Sequence, residues 1–391
     1  MEKQVLLQEF HERFGQGEAE ARVFFTPGRV NLIGEYTDFN GGYVFPASLS
    51  VGTWAVARPR QDGMYYFQST NFDLTVQTRV NSIDYKKEDD WANYPKGVLV
   101  ELLELAGDEA ARYTGADILF HGNIPNGAGL SSSASIEVLT GMALSDLAGC
   151  PVGRIELAKL AQRAENKFVG VNCGIMDQFA VAMGKADHAI MLKCDTLDYE
   201  YVPVQLDGYT IVITNTNKRR GLADSKYNER RSECESGLAI LQQSMPGIET
   251  LGDVSIENWQ KHKESITDTI VQKRVNHVVS ENDRVLKAAE ALKNKDVISL
   301  GQLMKQSHES LRDLFEVTGK ELDVLYEEAC KVEGCIGTRM TGAGFGGCNV
   351  SIVKSEATAQ FQEEVAKRYE ERTGLVPEFY LCDIGDGAKE I

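Results

Sequence analysis

The residues best suited to chemistry lie between Gly122 and Ala134, in the order Gly-Asn-Ile-Pro-Asn-Gly-Ala-Gly-Leu-Ser-Ser-Ser-Ala. Gly127 and Gly129 carry no Cβ, so backbone N–H groups there can close on a ligand. Apolar residues at 116–121 read as a strand before the glycines, and residues 135–144 read as a buried helix after them. Strand, glycine turn and helix in that order bring unpaired N–H groups and a partial positive charge to the turn. The result is an anion site suited to the phosphates of a nucleotide. Ser131, Ser132 and Ser133 stand at its mouth, where a hydroxyl could reach a phosphate or a Mg²⁺ ion. Taken alone, the stretch fits equally well a serine-capped helix after a tight turn. It is not the common phosphate loop, because Gly-x-x-x-x-Gly-Lys-Ser/Thr occurs nowhere in the chain.

The elements expected to hold this site mix both periodicities. Residues 2–14 read as an amphipathic helix and 21–25 as a strand. The strand runs into a segment, 26–42, whose polar residues have no obvious structural need. Strands are predicted at 43–58, 64–80, 189–192, 209–213 and 348–353. Helices are predicted at 91–105, with Pro95 near the start, and at 152–168, closed by Gly170. Further helices are predicted at 224–245, 281–293, 300–314 and 357–372. A chain of 391 residues exceeds what one hydrophobic core usually supports, so two α+β domains are expected. The loop 195–208 is the candidate junction. The expected division is 1–200 and 201–391, with a C-terminal tail able to pack back on the first domain.

Composition narrows the partners. Hydrophobic residues at 42% and charged residues at 25% describe an ordinary soluble protein. The formal charge of −17, from 41 basic and 58 acidic residues, argues against nucleic acid or an anionic membrane. Phosphate must then be attracted by local dipoles against the global field. Residues 1–14 hold one short apolar run, Val5-Leu6-Leu7, too short for a signal peptide, and no stretch is long and apolar enough to span a bilayer. Eight scattered cysteines without a Cys-x-x-Cys pair read as reduced thiols of a cytoplasmic protein. Six histidines without ligand spacing make a zinc site unexpected.

Residues 342–347, Gly-Ala-Gly-Phe-Gly-Gly, fit Gly-x-Gly-x-x-Gly. The dinucleotide fingerprint must open a helix, and here a strand follows, so that reading is rejected. A glycine-rich turn that approaches a ligand or the other domain is expected instead. Three glycine-bearing segments now stand in order: 27–38, 125–134 and 341–347. Together they resemble the three motifs of the small-molecule kinase superfamily of galactokinase, homoserine kinase, mevalonate kinase and phosphomevalonate kinase. Gly28-Arg29-Val30-Asn31-Leu32-Ile33-Gly34-Glu35, followed by Thr37-Asp38, resembles the signature of the galactokinase family. Cys173-Gly174-Ile175-Met176-Asp177-Gln178 and the run from Arg339 to Cys348 are similar to that family as well. The resemblance extends from about Phe25 into the C-terminal region.

The resemblance implies an N-terminal domain of the ribosomal-S5-domain-2 type, a ferredoxin-like C-terminal domain and an active site in the cleft between them. It implies transfer of the γ-phosphoryl group of ATP to the anomeric hydroxyl of α-D-galactose, with Mg²⁺. Asp177 matches the family's catalytic aspartate, as base or as the group that orients the hydroxyl, and Arg29 matches the arginine beside it. Glu35 would face the C6 hydroxyl and Asp38 the C3 and C4 hydroxyls, with Gly174 contributing backbone and Tyr227 closing the sugar site. Gly127, Ala128, Gly129, Leu130, Ser131, Ser132 and Ser133 would cradle the nucleotide, with Trp91 near the adenine and Arg219 near the phosphates. Ser133 and Glu165 would hold the metal. A solvated helix face is the ordinary reading for a glutamate such as Glu165.

One position departs from the family pattern Glu-His-Thr-Asp: Tyr36 stands where histidine is usual. Tyrosine is longer and cannot become cationic near neutral pH, which bears on sugar selection near C6. The alternatives are a kinase for a related sugar such as N-acetylgalactosamine, and a catalytically silent galactose sensor. A silent relative is expected to lack residues of the loop or the catalytic pair, whereas Ser133, Ala134, Arg29 and Asp177 are all present.

Overall fold

The computed structural model describes residues 3–125, 128–218 and 223–391. Its first sheet has six strands, in the order Lys389–Glu390, Arg22–Asn31, Pro46–Pro59, Ala116–Gly122, Met64–Ser69 and Val76–Arg79. Neighbours are antiparallel except Met64–Ser69, which runs parallel to Ala116–Gly122. The helices Asn93–Ala106 and Ser132–Leu147 cover this sheet, packing Val98, Leu102, Leu139 and Ala143 against Phe24, Phe67 and Phe120. Arg22–Asn31 is buried from its second residue onward, so it reads as a continuous apolar strand only where its sequence allows. Its polar second half, beyond residue 25, is strand all the same: Thr26 bonds Ser135, Asn31 accepts from the Phe45 N–H, Val30 packs in the core, and Arg29 turns into the cleft.

The strands Tyr43–Val44, His188–Lys193 and Tyr199–Pro203 form a second sheet. The expected junction at 195–208 therefore contains a strand, and a boundary at 200 would cut it. Of the five residues of Tyr199–Pro203 only Val202 is buried, which left no apolar pattern to read.

The third sheet is antiparallel, in the order Cys335–Thr341, Cys348–Lys354, Tyr209–Asn215 and Glu378–Leu381. Successive side chains of a strand point to opposite faces. Ile211 and Ile213 accordingly meet the helices Thr269–Lys293 and Val297–Ser310 through Val285, Ala288, Leu300 and Met304. Val212 meets the opposite layer, Lys320–Cys330 and Thr358–Thr373, through Leu325, Phe361 and Val365. The layout is α+β, with a ribosomal-S5-domain-2-like N-terminal domain and a ferredoxin-like C-terminal domain. Thr269–Lys293 begins well before the predicted 281, because Asp268 caps it by accepting from the N–H groups of Ile270 and Val271. No helix among the described residues is long and apolar enough to cross a membrane.

Candidate active site

The register of Arg22–Asn31 against Pro46–Pro59 slips between Pro27 and Arg29. Proline has no N–H to give the ladder, and a bulge re-aims the side chain that follows it. Gly28 sits in the bulge, where a Cβ would come 2.8 Å from the carbonyl oxygen of Leu130. This close approach lets the loop at 128–131 lie on the strand. The Arg29 N–H donates to Leu130 O at 3.1 Å, and Arg29 Nη1 donates to Gly129 O at 2.7 Å. Gly129 adopts φ 74°, the left-handed region that glycine enters without strain.

The remaining donors of Arg29 go to Asp177. Nε meets Oδ1 at 2.8 Å and Nη2 meets Oδ2 at 2.9 Å, a planar two-bond pairing. Asp177 is not on a loop. It lies in the first turn of the helix Met176–Met183, which was not anticipated because it is short and follows a glycine. Ser131 also donates to Asp177, at 2.6 Å. The plainer view of the serines as helix caps does not hold for Ser131. It sits at the N-cap of Ser132–Leu147 with φ 62° and makes no side-chain cap bond, its hydroxyl being engaged by Asp177.

A cleft of about 350 Å³ opens over this pair, and both domains line it. Arg29, Glu35, Asp38, Gly174 and Asp177 come from the first, Tyr227, Gly342 and Ala343 from the second. Glu35 is only 2% exposed, and its Oε1 accepts from the N–H of Gly342 at 2.8 Å. Asp38 packs so closely on Gly174 that a Cβ there would collide with its carboxylate. Burial, then the negative charge of Asp177, pushes the Asp38 carboxyl up to about 6. Tyr36 also lines the cleft, but its hydroxyl donates to Ala343 O at 2.5 Å. Its ring packs 4.6 Å from that of Phe315 and 5.4 Å from that of Tyr227. Tyr36 therefore ties the third glycine segment to the first as well as bordering the cleft.

Glu165 is not on a solvated face. It is 7% exposed and lies in a π-helical turn, Ala164–Val169, that ends the helix begun at Arg154. Such turns are frequent at functional sites. Gln178 Nε2 donates to Glu165 Oε2 at 2.7 Å and to Glu137 Oε2 at 3.2 Å, and Ser133 hydrogen-bonds Glu165. Burial, then Asp177, raises the Glu165 carboxyl to about 7, and Glu137 is raised well above its ordinary value by burial and by Glu165. Glu137 also hydrogen-bonds Glu165, and Gln178 Oε1 is buried without a hydrogen-bond partner. Sequence reading passed over Glu137, since nothing in its spacing marks it.

Beside the serines lies a second, more apolar cavity of about 190 Å³, lined by Phe72, Trp91, Phe120, Ile124 and Ile136. It shares Ser132, Ser133 and Tyr94 with the first cleft. Trp91 stacks on Phe72 with ring centres 6.4 Å apart, and its Nε1 is buried without a hydrogen-bond partner. Leu130 and Ala128 are buried in a cluster that joins Val30 and Ile33 to Ile213, Val285 and Leu300 of the C-terminal domain. Gly127 and Arg219 lie outside the described residues.

With this geometry in hand, similarity to known proteins is specific. The galactokinase galactose-binding signature matches residues 8–59, over the strand and segment that carry Arg29, Glu35 and Asp38. The GHMP kinases N terminal domain matches residues 93–185 and the GHMP kinases C terminal domain residues 288–371. A galactokinase of Halalkalibacterium halodurans is 52% identical over 389 residues, spanning 99% of this chain and 98% of its own. The chain belongs to the galactokinase family. A galactokinase of Bacillus subtilis is 51% identical, over 98% of this chain and 97% of its own. The crystal structure of Lactococcus lactis galactokinase complexed with galactose superposes with a TM-score of 0.94 at 44% identity, covering 99% of both chains. Methanococcus jannaschii mevalonate kinase shares the fold, with a TM-score of 0.64 at 19% identity over 95% of this chain and all of its own. Membership in this family makes the chain a kinase.

Proposed function

We propose that this galactokinase-family chain transfers the γ-phosphoryl group of ATP to the anomeric hydroxyl of α-D-galactose, giving α-D-galactose 1-phosphate and ADP. The observation that carries the reading is the two-bond Arg29–Asp177 pair, set between the phosphate loop and the carboxylates of Glu35 and Asp38. Asp177 orients the C1 hydroxyl and takes its proton, O1 forms the new bond to phosphorus, and the bond from phosphorus to the ADP oxygen breaks. A loose transition state needs positioning and charge compensation more than a strong base. Arg29 supplies both, by holding the Asp177 plane and by offsetting charge on the reacting oxygens.

Glu35 and Asp38 offer fixed acceptors to the sugar hydroxyls, Tyr36 and Tyr227 wall the sugar space, and Gly174 lets backbone approach it. On the nucleotide side, the backbone from Ala128 to Leu130 and the hydroxyls of Ser132 and Ser133 face the phosphates. The Trp91 cavity has the flat apolar walls that suit a purine base. Among the described residues, no three His, Cys, Asp or Glu side chains stand together as a ready metal cage. That fits Mg²⁺, which keeps its waters and takes one or two carboxylates plus substrate phosphates. Ser133 and Glu165 would hold it, with the Glu137 and Asp177 carboxyls beside Glu165 making the corner acidic. Bound there, it would neutralise charge on the transferring phosphoryl group. Eight cysteines, none of them in a disulfide, suit the reducing cytoplasm.

An ATP-consumption assay across free sugars, with the product identified, tests the reading. Galactose should be phosphorylated faster than N-acetylgalactosamine. Sugar binding without ATP turnover would instead make the chain a sensor.

A further inference from the structure

The side-chain network behind Glu35 lies outside the chemistry described so far. Arg339 is fully buried, and its Nη1 donates to Asn31 O at 2.9 Å and to Glu35 Oε1 at 3.3 Å. Its Nε donates to Ser307 Oγ at 3.2 Å. Ser307 in turn donates to Glu281 Oε1 at 2.5 Å, and Glu281 Oε1 accepts from the Gly34 N–H at 3.0 Å. Starting at Gly34 and returning at Glu35, these contacts close a ring through three elements of the C-terminal half.

We propose that Arg339, Ser307 and Glu281 form a positioning relay that fixes Glu35 for the sugar. This rests on the reading above that Glu35 meets the sugar. The contacts fall on two consecutive residues of the sugar segment, and His277 Nε2 holds a third point, Glu35 O, at 3.1 Å. On the Glu35 side chain, Arg339 and the Gly342 N–H both converge on Oε1. Glu35 lines the cleft, so Oε2 is the oxygen left for a ligand. A guanidinium presents donors in a rigid plane, whereas an ammonium is a point charge, so arginine reaches Glu35 Oε1 and Ser307 at once from fixed positions. The anchor is itself held: Arg284 Nε donates to Glu281 Oε2 at 2.6 Å, and Glu281 is fully buried.

The test is a double-mutant cycle. Ser307→Ala removes the middle of the relay at the cost of one hydroxyl, and Arg339→Lys keeps the charge but loses the fork. Each is made alone and with Glu35→Gln, and KM for galactose, KM for ATP and thermal unfolding are measured. Ser307→Ala is expected to raise KM for galactose about 3-fold and Arg339→Lys about 10-fold, the scale of one hydrogen bond to a charged group. KM for ATP should move by less than about 2-fold, since a general loosening would move both. With Glu35→Gln present the relay mutations should add nearly nothing, because linked residues are not additive. Full additivity, or an equal rise in KM for ATP, overturns the relay. Glu35→Gln with an unchanged KM for galactose overturns the sugar role of Glu35 and the relay with it, a result distinct from additivity. If Arg339→Lys does not fold, Ser307→Ala carries the same cycle.

Discussion

Ser131 Oγ donates to Asp177 Oδ2 at 2.6 Å, so the glycine-serine loop is bonded directly to the carboxylate that Arg29 holds. Asp177→Asn is expected to fold and bind galactose while phosphorylation falls by about 10²-fold or more. Ser131→Ala should lower kcat by about 10-fold, from the loss of one hydrogen bond to a charged group. Ser131→Gly separates hydroxyl from backbone, since glycine accepts the φ of 62° without strain. If the glycine variant regains wild-type kcat, the backbone and not the hydroxyl is what matters.

Glu165→Gln should weaken the productive Mg²⁺–ATP complex, because a neutral amide is a poorer partner for a hard cation. Titrating Mg²⁺ at fixed ATP is expected to show a higher half-saturation, with part of the lost rate recovered at high Mg²⁺. An unchanged Mg²⁺ dependence would remove Glu165 from the metal site.

Tyr36 contributes a ring and a hydroxyl that can be tested apart. Tyr36→Phe loses the bond to Ala343 O and should lower unfolding stability by about 1 kcal/mol, read by denaturant titration. Tyr36→His changes the wall of the sugar space and should alter the ratio of kcat/KM for galactose and 6-deoxygalactose. If Tyr36→Phe leaves that ratio alone and Tyr36→His moves it, ring size sets the effect. A ratio that neither variant moves makes Tyr36 purely structural.

The Asp38 carboxyl sits at about 6 in the folded chain, above its ordinary 3.8. The folded state therefore binds the proton more tightly than the unfolded one, and stability is lost as pH rises from about 4 to about 6. Asp38→Asn should match wild type in melting temperature near pH 4 and exceed it above pH 6. Over the same window wild-type KM for galactose should fall with rising pH, as the charged acceptor forms. Equal melting curves of the two proteins at all pH values would contradict this.

Legibility in the sequence followed the range of the interaction. The strand, glycine turn and helix over 116–147 could be read because they are adjacent, and the segment carrying Arg29, Glu35 and Asp38 stood out because its polar residues had no obvious structural need and resembled a family signature. Glu165 could not be read as buried, since a glutamate in a polar helix looks solvated and its π-turn leaves no mark on residue spacing. Ser307 and Glu281 were invisible for a different reason, and Arg339 stood out only as the start of a motif. A buried charge announces itself only through its partner, and here the partners lie far away in the chain. The strand Tyr199–Pro203 was missed because a mostly exposed strand carries no apolar alternation.

The bond from the Gly342 N–H to Glu35 spans 307 positions of the chain. Contacts so distant close late in folding, because the loop between them must lose its entropy first. A chain whose first domain has already collapsed would hold Arg29 and Asp177 in place and yet present an unfinished sugar pocket, until the hairpin of Cys335–Thr341 and Cys348–Lys354 docks. Recovery of sugar affinity after dilution from denaturant thus reports when the two halves of the chain have met. A sugar that binds only the docked form pulls the whole chain toward it by mass action.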